Sequence, residues 1–225
     1  MIEHVAAPAE ERPIRIPAGD ALLDGDLRVP AGATATVVFA HGSGSSRHSP
    51  RNRFVADVLV KAGLATLLID LLTPDEEKID LQTAELRFDI GLLAGRLGSV
   101  TDWLATQSTT TSAHAIGYFG ASTGAAAALI AAVDQQERVR AIVSRGGRPD
   151  LAMDALPRIT RPTLLIVGGA DEVVLDLNRR ALAALNGPKE LAIVPRATHL
   201  FEEPGALDQV AGLARDWFRR YLTGD

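Results

Sequence analysis

Residues 119–124 read Phe-Gly-Ala-Ser-Thr-Gly and hold a G-x-S-x-G pattern centred on Ser122. An apolar run of strand length, Ala115–Phe119, leads into it, and an Ala-rich stretch, Gly124–Val133, follows. That order predicts a sharp strand-to-helix turn with Ser122 at its tip. Small flanking residues let neighbouring backbone approach such a turn closely. The helix that opens there offers unpaired N–H groups to a developing oxyanion. The expected chemistry is nucleophilic attack by a serine hydroxyl. Taken alone, the same residues also describe a β-to-α turn with no chemistry.

Other reactive or charged groups stand where predicted strands end. Asp171 lies in Gly168-Gly-Ala-Asp-Glu, with Glu172 beside it. His199 lies in Pro195-Arg-Ala-Thr-His, and His41 opens His41-Gly-Ser-Gly-Ser-Ser46. Arg145 and Arg148 follow the run Val139–Ser144. Arginine suits bidentate carboxylate recognition, so Arg145 is a candidate anchor for an anionic substrate group. A structural salt bridge to Asp89 or Glu85 is the competing expectation. His41 is expected mainly to orient its loop by bonding backbone, and secondarily to touch substrate. The stretch Arg47-His48-Ser-Pro-Arg51-Asn-Arg53 reads as a solvated loop and a helix start. Neither G-x-x-x-x-G-K-[ST] nor G-x-G-x-x-G occurs, so the glycines near residue 42 do not form either phosphate loop. Cysteine is absent, and His41 and His48 do not have the spacing of H-E-x-x-H. No metal site and no cofactor are therefore expected.

These groups need a scaffold. Apolar runs at Thr34–Ala40, Ala65–Asp70, Ala115–Phe119, Val139–Ser144, Thr163–Val167 and Glu190–Val194 are nearly continuous. Such runs fit strands buried on both faces of a parallel sheet. Candidate helices lie between them at Arg51–Ala62, Gln82–Thr106, Gly124–Val133, Leu175–Leu185 and Leu207–Leu222. The β-α-β order implies right-handed crossovers and a doubly wound α/β sheet. The segments Pro13–Pro17 and Ala21–Val29 alternate and are split by turn residues, which predicts an antiparallel hairpin at the edge. Gln107–Ser112 reads as a polar loop. Trp103 and Trp217 sit on amphipathic stretches and are expected in the core.

With these residues in place, the sequence resembles the α/β-hydrolase family, most closely its small dienelactone-hydrolase-like members. The resemblance runs from about Asp20 to Leu222 and implies an α/β-hydrolase fold with a chain order of nucleophile, acid, histidine. Matched residue by residue, it implies Ser122 as nucleophile, Asp171 as acid and His199 as base. His41-Gly-Ser43 resembles the family's oxyanion loop, which implies backbone N–H donors at Ser43 and Thr123, with no role required of the Ser43 side chain. Dienelactone hydrolases usually carry Cys at the elbow, and Ser122 stands there instead. Only about 17 residues separate Ser144 from Pro162, where many relatives insert a cap. A fairly open site with no cap domain is therefore expected.

Composition narrows the remaining classes. Of the 225 residues, 47% are hydrophobic and 23% charged, which excludes general disorder. The net charge of −5 argues against a nucleic-acid binder. No membrane span, signal peptide, internal repeat or linker is read, so one domain over 1–225 in the cytoplasm is expected. The expected partner is a small ester, lactone or thioester substrate, on a monomer or small homo-oligomer. Acyl transfer to another acceptor, amide or peptide cleavage, and non-catalytic ligand binding on the same scaffold are the alternatives.

Overall fold

A computed structural model describes residues 9–107, 111 and 114–224. His4 and most of the polar stretch after Gln107 lie outside the described residues. Eight strands form one sheet in the order β1-β2-β4-β3-β5-β6-β7-β8. They are β1 Glu11–Ala18, β2 Ala21–Arg28, β3 Ala35–Ala40, β4 Ala65–Ile69, β5 Ala115–Ala121, β6 Val139–Arg145, β7 Thr163–Gly168 and β8 Lys189–Val194. β1 pairs antiparallel with β2, and β2 antiparallel with β4. The remaining pairs are parallel. Every residue of β3, β4 and β7 is buried, as continuous apolar runs require of strands covered on both faces.

The helices are α1 Pro50–Lys61, α2 Pro74–Thr83, α3 Ile90–Thr106, α4 Thr123–Asp134, α5 Glu172–Ala184 and α6 Ala206–Phe218. Side chains alternate between the sheet's faces along each strand. Val38, Leu67, Tyr118 and Ile142 pack with Leu93, Leu97 and Leu129 of α3 and α4. Their neighbours Val37, Phe39, Phe119 and Val143 pack with Val55, Leu59, Val210 and Phe218 of α1 and α6. After β4 the chain crosses back over β3 to build the other half of the sheet. The strand ends beside that reversal are where an open α/β sheet forms its crevice.

Two expectations about helices need correction. Gln82–Thr106 is not one helix: α2 ends at Thr83, a 3-10 turn covers Leu86–Phe88, and α3 begins at Ile90. Ala84 turns left-handed at φ 56°, and Asp89 accepts the Leu92 N–H at 2.9 Å to start the next helix. α2 itself begins earlier, on Thr73-Pro74-Asp75-Glu76, where Thr73 and Glu76 satisfy each other's backbone N–H groups. The last α-helix stops at Phe218 and continues as a π turn, Arg219–Thr223. Between β6 and β7 stand only the 3-10 turns Pro149–Ala152 and Leu156–Arg158, so no separate cap domain is present there.

Candidate active site

Ser122 joins β5 to α4 with φ 50° and ψ −120°, a conformation L residues seldom adopt. Close packing holds it there. A Cβ at Gly124 would stand 2.3 Å from the carbonyl oxygens of both Ala40 and His41, and one at Gly120 would stand 2.8 Å from the Ala125 nitrogen. Only glycine lets the end of β3 and the first turn of α4 meet at this point.

Asp171 caps the start of α5, after β7, and His199 lies between β8 and α6. His199 Nδ1 is 2.7 Å from Asp171 Oδ2, and Nε2 is 3.4 Å from Ser122 Oγ. A carboxylate can only accept, so Nδ1 carries the proton and the Nε2 lone pair faces the serine hydroxyl. The longer Ser122 contact is common where no substrate is bound. The Asp171 side chain is 15% exposed and that of His199 38%, so the acid is sheltered while the imidazole reaches solvent. The competing Glu172 belongs to the first turn of α5 and makes no such contact among the described residues.

Ser43 and Thr123 face each other across the same crevice. The Ser43 N–H donates to Thr123 Oγ1 at 3.0 Å, and the two hydroxyl oxygens are 2.9 Å apart. The Ser43 amide therefore already has an acceptor, the side chain of the residue after the nucleophile. The Ser43 hydroxyl, of which the family resemblance requires no role, belongs to this contact. His41 Nδ1 donates to the Gly42 carbonyl at 2.9 Å, while Nε2 lies 3.6 Å from Asp70 Oδ1. Its loop-orienting geometry is present, and the ring also lines the crevice.

The crevice has a wall that sequence reasoning missed. Leu71, Leu72, Glu77, Asp80, Leu81, Arg87 and Leu93 line it together with residues 41–45 and Thr123. The wall is the segment after β4, α2 with the turn after it, and the start of α3, and two ion pairs pin α2 in place. Arg96 grips Glu76 through Nη1 at 2.6 Å and Nη2 at 2.5 Å, and Arg87 Nε reaches Asp80 Oδ2 at 2.6 Å. The Arg96 bond, with the Thr73 N–H, holds the Glu76 carboxyl down to about 2, against a smaller opposing effect of burial. The sequence signal for it is the Thr73-Pro-Asp-Glu76 helix start.

The basic stretch after His41 is not a freely solvated loop. Arg47 pairs with Asp70 through its guanidinium and donates its backbone N–H to the same carboxylate at 2.6 Å. Arg53 bonds both Glu11 oxygens, at 2.9 and 2.7 Å. Arg148 pairs with Asp150 through two bonds of 2.8 Å. Arg145 makes neither anticipated salt bridge; its guanidinium lies 5.8 Å from the Phe201 ring centre. Trp217 is 6% exposed and Trp103 packs against the core. Among the described residues no group of three or more His, Cys, Asp or Glu is placed to hold a metal ion. Nor is any helix long and apolar enough to cross a membrane.

This fold and crevice define an α/β-hydrolase. The model of the dienelactone hydrolase family matches residues 23–222, and the chain belongs to that family. A crystal structure of dienelactone hydrolase from Anabaena variabilis ATCC 29413 is 59% identical, with a TM-score of 0.94 over 96% of this chain and all of that one. A Xanthomonas campestris α/β serine hydrolase described as lacking a lid shares the fold at TM-score 0.73 and 21% identity, over 96% of this chain and 97% of its own. A Mycobacterium tuberculosis (strain ATCC 25618 / H37Rv) protein, named provisionally as a phosphoribosyl transferase, is 59% identical over 96% of this chain. This chain spans about half, 48%, of that relative's length.

Proposed function

We propose that the protein cleaves a carboxylic ester, lactone or thioester of a small acyl compound through an acyl-enzyme. The observation that carries this reading is the line Asp171–His199–Ser122, with its 2.7 and 3.4 Å contacts. His199 takes the Ser122 proton as Oγ attacks the acyl carbon, and Asp171 holds the required tautomer and steadies the imidazolium. The backbone N–H groups of Thr123 and Ser43 receive the oxyanion. His199 then protonates the leaving atom, and water activated by the same ring releases the acid.

The transferase name belongs to a relative about twice as long, and it does not account for a serine–imidazole–carboxylate line. The test is a panel of short-chain esters, lactones and thioesters with Ser122→Ala alongside. Turnover of at least one class, lost in the variant, is expected. Turnover that survives in Ser122→Ala would overturn the reading.

A further inference from the structure

The leucine-lined cleft has one fixed side and one side that is only pinned. On the fixed side, Leu71 and Leu93 are buried in the core that covers this face of the sheet. On the other side α2 presents Glu77, Asp80 and Leu81 to the cleft, at the i, i+3, i+4 spacing of one helix face. A surface helix is usually held by an apolar stripe turned to the core. In α2 no apolar residue is buried: its one buried residue is Asp80, while Ile79 is 56% and Leu81 71% exposed. Polar contacts hold the helix instead. Arg96 of α3 bonds both Glu76 oxygens, and its Nη1 also reaches the Leu71 carbonyl at 2.8 Å. Arg87 gives Asp80 Oδ1 its backbone N–H at 2.9 Å and the Asp80 carbonyl its Nη2 at 2.8 Å, beside the Nε bond. Partly exposed ion pairs each contribute little, so α2 is the wall of the cleft that can yield.

The cleft encloses about 40 Å³. A water-sized group needs about 10–15 Å³, so roughly three or four such groups fill it. Ser43 and Thr123, which carry the proposed oxyanion donors, line the same cleft. An acyl group whose carbonyl oxygen meets those donors therefore lays its chain among the leucines and against α2. Three or four chain atoms beyond the carbonyl carbon correspond to an acyl group of up to about five carbons. We propose that this cleft binds a short apolar acyl chain and that α2, latched through Glu76 and Arg96, sets the upper limit of its length. Leu81 limits the chain by its bulk, and Glu76 limits it by holding α2 in place. Longer chains enter only as the latch gives way. The substrate class is then the ester or thioester of a short aliphatic acid. This rests on Ser122, Ser43 and Thr123 acting as proposed above.

The full chain is tested on 4-nitrophenyl acetate, butanoate and octanoate, which share one leaving group. From acetate to butanoate kcat/KM should rise about fourfold for each buried methylene, and from butanoate to octanoate it should fall about tenfold. Glu76→Gln should raise the octanoate-to-butanoate ratio about fivefold, the scale of one partly exposed ion pair, and leave acetate unchanged. Leu81→Ala should raise the same ratio. A merely structural role for α2 would lower all three esters together and leave the ratio alone. A wild type that takes octanoate as well as butanoate, or a ratio that both variants preserve, overturns the length limit. Hydrolysis absent from wild type, or surviving in Ser122→Ala, overturns the proposed function instead, and thermal melts then judge the cleft. Butanamide should raise the melting temperature of Ser122→Ala, and hexanamide should do so only once Leu81→Ala is added. Equal shifts from both amides, or none from butanamide, overturn the acyl site.

Discussion

Replacing Thr123 by Val keeps the side chain's shape and removes its hydroxyl. In the free protein that hydroxyl accepts the Ser43 N–H at 3.0 Å. A substrate oxyanion that uses this N–H must first take it from Thr123. A neutral hydrogen bond contributes about 1 kcal/mol net, so freeing the donor should raise kcat/KM about fivefold. The same change leaves a part-buried N–H unpaired before substrate arrives, which costs about 1 kcal/mol of stability or slightly more. For a chain of this size that is a loss of about 2–4 °C in Tm. Steady-state kinetics on 4-nitrophenyl acetate and a thermal melt read both effects. Thr123→Ser, which keeps the acceptor, should match wild type in each. A tenfold fall in kcat/KM for Thr123→Val, with Thr123→Ser unaffected, would refute the reasoning. The hydroxyl would then be a donor to the oxyanion rather than a competitor for it.

Two further outcomes follow from the geometry. Glu76, held by Arg96 and the Thr73 N–H, has its carboxyl lowered from 4.5 to about 2. A lowered carboxyl stabilises the fold above its unfolded value, and that contribution is lost as pH falls from about 4.5 toward 2. The pair is partly exposed, so Glu76→Gln should cost about 1 kcal/mol at pH 7, read as a lower Tm, and progressively less below pH 4; an equal deficit at pH 7 and pH 3 would contradict this. Ser122 holds φ 50°, a strain of roughly 1–3 kcal/mol in such regions. Ser122→Gly should therefore melt above Ser122→Ala despite glycine's greater unfolded-state entropy; equal or reversed melting temperatures would show that no strain is stored there.

The sheet was legible because its central strands are buried on both faces, and that burial shows as unbroken apolar runs such as Val37-Val-Phe-Ala. The antiparallel edge is legible in the alternation of Pro13–Pro17 and Ala21–Val29, where β1 and β2 form. The break inside Gln82–Thr106 is not legible because the left-handed turn at Ala84 has no glycine to mark it. The crevice wall is lost with it. Ser122 is marked by its own G-x-S-x-G turn, whereas the roles of Asp171 and His199 at later strand ends are what the resemblance to the hydrolase family implies. The Ser43–Thr123 contact is not legible, since it joins residues 80 apart across two loops. Nor could the sequence show that Arg145 lacks a carboxylate. Asp89, one expected partner, is used to cap α3.

The central claim is that Ser122 is a nucleophile activated by His199. Its most direct test is intact mass of the protein after exposure to a fluorophosphonate. One adduct per chain, absent from Ser122→Ala and strongly slowed in His199→Ala, is the predicted result. An unlabelled wild type with a native melt, or an adduct that persists in Ser122→Ala, would contradict it.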